Sequence, residues 1–168
     1  MKNLTLVFSV FLMTTVISFG QARDQASSTA KLKIDANKMG ESFLKGDFKT
    51  FSNYTYPKIL QAVGGAAKME QVLTKTVADL KSQGISFTRI SFDEPTRIIT
   101  SGNELQSTIT QHTEMNTSNG KTMTNSILIA ISTDNGNNWT FVDTSNKDMK
   151  TLRQVLPNLS KDIVLPGH

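Results

Sequence analysis

The residues in this sequence that could take part in chemistry are polar side chains set among apolar ones on predicted strands. Asp143 shares a strand face with two aromatic residues, Gln111 shares one with aliphatic residues, and Asn125 shares one with three isoleucines. Polar groups in such positions cost roughly 1–3 kcal/mol each unless they are hydrogen-bonded. We therefore predict that Gln111, Asn125 and Asp143 line a ligand-binding pocket, with Tyr56, or alternatively Tyr54, as an amphipathic group from the helical part of the chain.

Each of these assignments has a structural alternative. Asp143 lies shortly before Lys147, where a carboxylate often caps a helix or accepts hydrogen bonds from loop amides. The side-chain amides of Gln111 and Asn125 could instead make internal hydrogen bonds. If Asp143 pointed into an open cavity beside a donor such as Tyr56 or Asn125, it could act as the general base of an isomerase or cyclase.

Other reactive arrangements are missing from the sequence. There is no cysteine, and the two histidines are His168 and His112, which is predicted on a solvated strand face with Gln106 and Thr108. Two histidines without cysteine do not make a zinc site. Neither a phosphate-binding glycine loop after a strand nor a G-x-S-x-G nucleophile motif is present. We therefore expect no metal ion and no cofactor.

The spacing of apolar residues predicts the helices and strands that would position these side chains, and this spacing changes at Gly84. Before it, apolar residues recur at helical spacing in four segments, which are 31–45, a short one after Asp47, 58–63 and 66–83. After it the pattern is that of strands and a last helix, at 85–92, 96–100, 104–115, 121–132, a hairpin over 132–143 and a helix at 148–156. Helices followed by antiparallel strands indicate an α+β fold. Two of the strands exceed the usual length of about five to six residues, so we expect a strongly curved sheet around the N-terminal helices.

The hairpin is predicted from Asn135-Gly136, because both residues readily adopt the positive φ angles of a tight turn. The surrounding pattern Ser132-x-Asp134-x-Gly136-x-x-Trp139 also fits the Asp-box of sialidase propellers. A propeller repeats this turn in blade after blade of a much longer chain, and here it occurs once. We interpret it as the turn of a β-hairpin, in which Asp134 accepts hydrogen bonds from the turn and Trp139 packs beneath it.

Residues 1–22 are typical of a secretory signal peptide. A lysine precedes an apolar run, and small residues ending at Ala22 place the cleavage site after that residue. A membrane anchor is the alternative, but the apolar run is short for a bilayer span. We expect a flexible lead over residues 23–30, a single domain over residues 31–168, and a periplasmic or secreted mature protein without a membrane span.

The charged residues favour solubility over a polyanionic partner. The sequence has 18 Lys and Arg residues against 14 Asp and Glu residues, a net charge of +4, and the positive charges are scattered along the chain. Binding of single-stranded nucleic acid needs a basic groove with interleaved aromatic residues, and no such pattern is present. We therefore expect no nucleic-acid partner.

The order of elements and several short motifs resemble one known superfamily. The motifs are Gly46-Asp47-Phe48, Tyr54-Thr-Tyr56-Pro57, Gly102-x-Glu104-Leu105, the hairpin from Ser132 to Asp143, and Leu156-Pro-Asn158. They resemble small exported bacterial members of the nuclear transport factor 2-like superfamily, which has a cystatin-like fold and includes ketosteroid isomerase and SnoaL-like polyketide cyclases. The resemblance covers residues 31–165. It implies a cone in which a curved sheet and helices enclose a pocket that opens at one end.

We accordingly expect a non-enzymatic domain that binds a small apolar molecule or packs as a homodimer through its open sheet face. The alternative is an enzyme of the isomerase or cyclase type with Asp143 as general base in an apolar pocket. A third possibility is an interaction module without a pocket, which predicts a collapsed cone and an exposed apolar sheet face. Because the superfamily contains enzymes, binders and assembly modules, the resemblance by itself favours none of them.

Overall fold

The described part of the chain has an α+β fold. A computed structural model describes residues 18–145 and 147–165, with side chains from Gln25 onward. Within these residues the elements are α1 (Ser18–Leu44), α2 (Phe48–Ser52), α3 (Pro57–Ala62), α4 (Ala66–Ser82), β1 (Ser86–Phe92), β2 (Ile99–Ser101), β3 (Glu104–Thr117), β4 (Gly120–Ser132), β5 (Thr140–Asp143) and α5 (Met149–Val155). This order confirms the predicted class, with helices first, antiparallel strands next and a C-terminal helix last. Most of the predicted signal peptide, residues 1–17, lies outside the described residues, and cleavage after Ala22 stays a prediction.

Helix α1 packs on the sheet through apolar residues that recur at helical spacing. Residues of one helix face, among them Leu32 and Met39, are buried in the core. Gly46 follows the helix with a φ of +71°, a left-handed conformation that glycine adopts without steric cost. The sequence pattern predicts a helix from Lys31, and in the structure α1 already begins at Ser18.

The strands form a sheet in the order β1-β3-β4-β5, with β2 also paired to β3. β3 and β4 have 14 and 13 residues and pair from Leu105 opposite Ser132 to Thr117 opposite Gly120. Each of these strand pairs is antiparallel, as predicted. Because residues directly opposite each other share a face, this register decides which side chains point towards the helices.

Both faces of the sheet are buried where β4 ends. Leu128 and Phe141 point towards α1 and belong to one core cluster. Ile129 and Ile131 point the other way and pack against α5 and the tail that follows it, in a second core cluster. The sheet is therefore the middle layer of the domain, between α1 on one side and α5 with residues 157–165 on the other.

The structure corrects two interpretations of strand faces. The isoleucine face of β4 is predicted to lie beneath the N-terminal helices, but it packs against α5 and the tail. The face of β3 with Gln106 and Thr108 is predicted to be solvated, but these residues are only 0% and 2% exposed. The tail causes both differences, because the Gln106 amide donates to the carbonyl of Asn158 at 3.0 Å and accepts from the amide of Ser160 at 2.9 Å. These bonds hold the tail across the sheet face.

The Asp-box turn connects the strands of the β4–β5 hairpin, as predicted. Asn135 and Gly136 have φ angles of 58° and 85°. The carboxylate of Asp134 accepts hydrogen bonds from the Ser132 hydroxyl at 2.8 Å and from the Asn138 amide at 2.9 Å. The indole of buried Trp139 lies beneath the turn and donates to the Gly136 carbonyl at 3.2 Å. These contacts fix the turn that leads into β5.

Candidate functional site

A cavity of about 380 Å³ lies between the helices and the sheet. It is bounded by the C-terminal half of α1, by α2 and α4, and by the helix-facing side of the sheet. Its walls are mainly apolar side chains, which include Met39, Phe43, Phe51, Met69, Leu73, Phe87, Ile90, Leu128 and Phe141. A cavity of this size and composition is typical of a small-molecule binding site.

Aromatic rings form the firmest part of the cavity wall. The ring of Phe43 makes edge contacts with Phe48, Phe51 and Phe87 at centroid distances of 5.6, 5.6 and 5.1 Å. Helix α2 brings two of these rings into place because Asp47 caps it, accepting a hydrogen bond from the Thr50 amide at 3.0 Å. The cluster joins α1, α2 and β1 at one side of the cavity.

Helix α4 is the least tightly packed wall. It has 17 residues, none of which is fully buried, and it contacts mainly α2 and α3. Met69 and Leu73 point into the cavity, while neighbouring Val72 is 48% exposed on the outer side. A helix held by so few buried contacts can move at a lower free-energy cost than α1, which is buried in the core along one face.

Polar groups lie along one side of the cavity. Gln111 and Thr113 of β3 line it, and the Gln111 amide donates to the Thr113 hydroxyl at 3.0 Å. Asp143, at the end of β5, and half-buried Lys147, in the loop before α5, also line it. A mainly apolar wall with a few convergent polar groups can hold an amphipathic molecule in one orientation.

The Asp143 carboxylate is hydrogen-bonded to the loop that follows it. Its Oδ1 atom accepts from the Ser145 amide at 2.8 Å and from the Ser145 hydroxyl at 2.6 Å. The Ser145 hydroxyl also lies 3.2 Å from that of Ser126 on β4. This is the loop-backbone arrangement given above as the structural alternative for Asp143. The residue nevertheless shares the cavity with Gln111, as predicted from strand alternation.

Tyr56 lies in the other core cluster and does not line the cavity. Its hydroxyl is 3.1 Å from Oε1 of Glu104, whose other oxygen accepts from the Gln106 amide at 2.7 Å. Burial, together with the neighbouring Glu104 carboxylate, raises the pKa of Tyr56 to about 12. Tyr56 is therefore a neutral hydrogen-bonding group in a structural network behind the sheet. Tyr54, its alternative, packs against the core cluster on the α1 side.

Asn125 is also separated from the cavity. It lies opposite His112 in the β3–β4 register and is exposed on the sheet face that points away from α1. Its Oδ1 atom is 2.8 Å from Nδ1 of His112, and Nε2 of the same ring is 2.9 Å from the Asp93 carboxylate. These hydrogen bonds to Asp93 and Asn125 raise the pKa of His112, because both favour the protonated ring. This cluster forms a polar site of its own, on the opposite side of the sheet.

Two of the four predicted site residues are thus brought together and two are not. Gln111 and Asp143 share the cavity, while Tyr56 and Asn125 lie on the other side of the sheet. Sequence reasoning missed Lys147 as a lining residue. The only signal for it was its position four residues after Asp143, and that pattern also fits an ordinary loop lysine.

The described residues hold neither a metal-binding cluster nor a membrane-spanning helix. No group of three or more His, Cys, Asp or Glu side chains is placed there so that it could bind a metal ion. None of the helices in the same range combines the length and apolar character needed to cross a bilayer.

Comparison with known proteins adds no assignment. No protein-family model matches the chain, and no curated protein matches it either. The resemblance to the nuclear transport factor 2-like superfamily therefore rests on the motifs quoted above, and inference about function rests on the cavity.

Proposed function

We propose that this chain is an exported, non-enzymatic binding domain with a cone-shaped, nuclear transport factor 2-like fold, and that it holds a small apolar molecule in the cavity between α1, α2, α4 and the sheet. The observation that carries the proposal is the cavity of about 380 Å³ with mainly apolar walls. Ligand pockets commonly have volumes of about 300–1,000 Å³, so the space suits a small ligand.

The packing around the cavity supports a binding role over a packing defect. Protein interiors are close-packed, and voids larger than a water molecule are few. Elsewhere in the described chain the core is filled, since side chains such as Ile129, Trp139 and Leu152 are at most 1% exposed. The space is left where large, flexible or aromatic side chains such as Met39, Phe43 and Met69 surround it. The unbranched methionine side chains among them adapt to a ligand more readily than β-branched ones.

The isomerase or cyclase alternative has less support. Asp143 lines the cavity, but its Oδ1 atom already accepts two hydrogen bonds from Ser145. The two donors suggested for an oxyanion, Tyr56 and Asn125, are bonded to Glu104 and His112 on the other side of the sheet. A general base without a neighbouring oxyanion donor lacks a large part of the stabilisation that such enzymes use.

Homodimer formation through the sheet face remains part of the proposal, but only over a limited area. Residues 120–125 of β4 are exposed, and Met123 is 59% exposed among them. The other end of the same face is covered by α5 and residues 157–165. A dimer would therefore use the exposed end of β4. Binding in the cavity doesn't depend on it.

A pair of variants on α4 tests the proposed binding. Leu73→Trp adds a bulky side chain that points into the cavity, whereas Val72→Trp adds the same side chain on the outer side of the helix. We expect the neutral apolar dye Nile red to bind the unchanged protein and Val72→Trp, with a fluorescence increase that Leu73→Trp loses. A bound ligand should also raise the melting temperature, by an amount that grows with the logarithm of the ligand concentration once this exceeds the dissociation constant.

Equal dye binding by the two tryptophan variants would contradict the proposal, because the dye would then occupy another surface. Circular dichroism spectra of both variants would show whether each is folded. Mass spectrometry of the protein purified from its native host would then identify the natural ligand class.

A further inference from the structure

Lys147 carries a positive charge to the edge of the apolar cavity. Its ammonium lies 3.3 Å from the carbonyl of Asp143 and 3.5 Å from that of Ser145. Both distances are long for hydrogen bonds, so each contributes weakly. Within the described residues no carboxylate lies within salt-bridge distance of Lys147, although the residue is half-buried.

A half-buried ammonium with weak partners favours the approach of an anion. Burial removes part of its hydration, and two long bonds to neutral carbonyls replace that hydration incompletely. Asp143 is the other charged residue that lines the cavity, and its Oδ1 atom is bonded to the Ser145 amide and hydroxyl. The Lys147 ammonium, by contrast, has three donors, and the acceptors found for it in the described part of the chain are these two weak ones.

The rest of the cavity wall favours an organic carboxylate over a bare inorganic anion. Gln111 and Thr113 line the same cavity and supply neutral hydrogen-bonding groups. Beyond them the walls are apolar, with Leu128 and Phe141 on the sheet and Leu73 on α4. A molecule that fits both the Lys147 ammonium and the apolar walls has an anionic end and an apolar body.

We infer that Lys147 binds the carboxylate of an amphipathic ligand, of the chemical class of a medium-chain fatty acid, whose apolar tail occupies the cavity. This inference rests on the proposed function, since it concerns the head group of a molecule held in the same cavity. A charge-assisted hydrogen bond to the carboxylate would supply affinity that a neutral molecule of the same length lacks.

The test compares decanoate with decanol, which share an apolar chain and differ in the head group. Competition with Nile red should show decanoate binding about tenfold or more tightly than decanol. Lys147→Gln should reduce decanoate binding to the level of decanol and leave decanol unchanged. Lys147→Arg, which keeps the charge, should retain the preference. Lys150→Gln is the matched control, because Lys150 is exposed on α5 and does not line the cavity.

The outcomes separate the head-group inference from the proposed function. Equal binding of decanoate and decanol, or a Lys147→Gln variant that keeps the preference, would overturn the role of Lys147 and leave apolar binding intact. An equal loss of both ligands in Lys147→Gln would assign the residue a structural role in the loop and likewise overturn the inference. If neither ligand displaced the dye and the dye itself did not bind, both proposals would be wrong.

Discussion

Adding a single methyl group at Gly136 should lower the free energy of unfolding substantially. Gly136 lies in the Asp-box turn with a φ of +85°, and a Cβ atom added there would clash with Oγ of Ser28 on α1 and lie 2.9 Å from its Cβ. The Ser28 hydroxyl can rotate away, but its Cβ atom is fixed by the helix backbone. Gly136→Ala therefore requires α1 or the hairpin to shift.

The expected cost has two parts. A left-handed backbone costs a non-glycine residue about 1–2 kcal/mol, and the lower entropy of the unfolded alanine chain offsets roughly 0.4–1 kcal/mol of this. Overpacking against Ser28 adds roughly 1–3 kcal/mol. We expect Gly136→Ala to lower the free energy of unfolding by about 2–4 kcal/mol. Gly102→Ala is the control for strain alone, because Gly102 has a φ of +59° and nothing lies within 4 Å of its added Cβ. It should cost about 1 kcal/mol.

Urea unfolding of a double-mutant cycle measures the two parts separately. Ser28→Gly removes the Cβ and Oγ atoms that the new methyl group would meet, so in the Gly136→Ala background it should recover the overpacking part. The coupling free energy should be about 1–3 kcal/mol. Additive effects of the two substitutions would refute the close packing of the Gln25–Ala30 part of α1 against the hairpin.

Two further predictions concern the helix–sheet contact and the histidine cluster. Gly40→Ala places a Cβ atom 2.8 Å from Cγ2 of Ile90. Overpacking should exceed the gain in helix propensity and lower the free energy of unfolding in urea by about 1 kcal/mol. In an Ile90→Ala background, Gly40→Ala should no longer destabilise the protein, whereas a stabilised single variant would contradict the overpacking. The hydrogen bonds of His112 to Asp93 and Asn125 raise the pKa of His112 in the folded protein. Their contribution to stability should therefore be fully present below about pH 6.5, the pKa of an unfolded histidine. It should be lost as the pH rises through the folded pKa. Because this cluster is partly exposed, we expect the free energy of unfolding to change by less than about 1 kcal/mol over this pH range. Urea unfolding at several pH values measures this dependence, which His112→Gln should lack. Equal pH dependence in the two proteins would show that His112 does not cause it.

The sequence was informative where local pattern decides the structure. Helical spacing in segments 31–45 and 66–83 and the change of period at Gly84 correctly predict the order of elements. The Asn135-Gly136 turn is also correctly predicted, because positive φ angles and the Asp134 carboxylate act within a few residues of each other. Such signals depend on neighbours in the chain, so they are readable without tertiary structure.

The face of each strand could not be assigned in the same way. Alternation shows that Asn125 shares a face with Ile127 and Ile129, but it does not show which layer covers that face. The choice is made by residues 157–165, which cross the sheet and bond to Gln106. These residues are more than 50 positions away in sequence from Gln106, and their apolar pattern is too short to predict where they dock. Asn125 was therefore predicted in the cavity, although it lies behind the sheet.

The two faces of the sheet are packed differently, and this difference separates the residues that stabilise the domain from those that line the cavity. Behind the sheet, Leu152, Leu156 and Leu159 fill the space over Ile129 and Ile131, and the Gln106 bonds hold the tail that carries part of this layer. In front, Leu32, Ala36 and Met39 of α1 are buried to the same degree, in the cluster that includes Trp139. The cavity lies beside this cluster.

Part of the cavity wall is supplied by α4, none of whose residues is fully buried. A substitution in α4 such as Leu73→Trp removes few native contacts, so it should change ligand binding far more than the free energy of unfolding. A substitution such as Leu152→Ala, in the filled layer, should do the reverse and cost about 2–5 kcal/mol. The cavity can therefore stay open because the opposite face and the hairpin already supply the packing that keeps the domain folded.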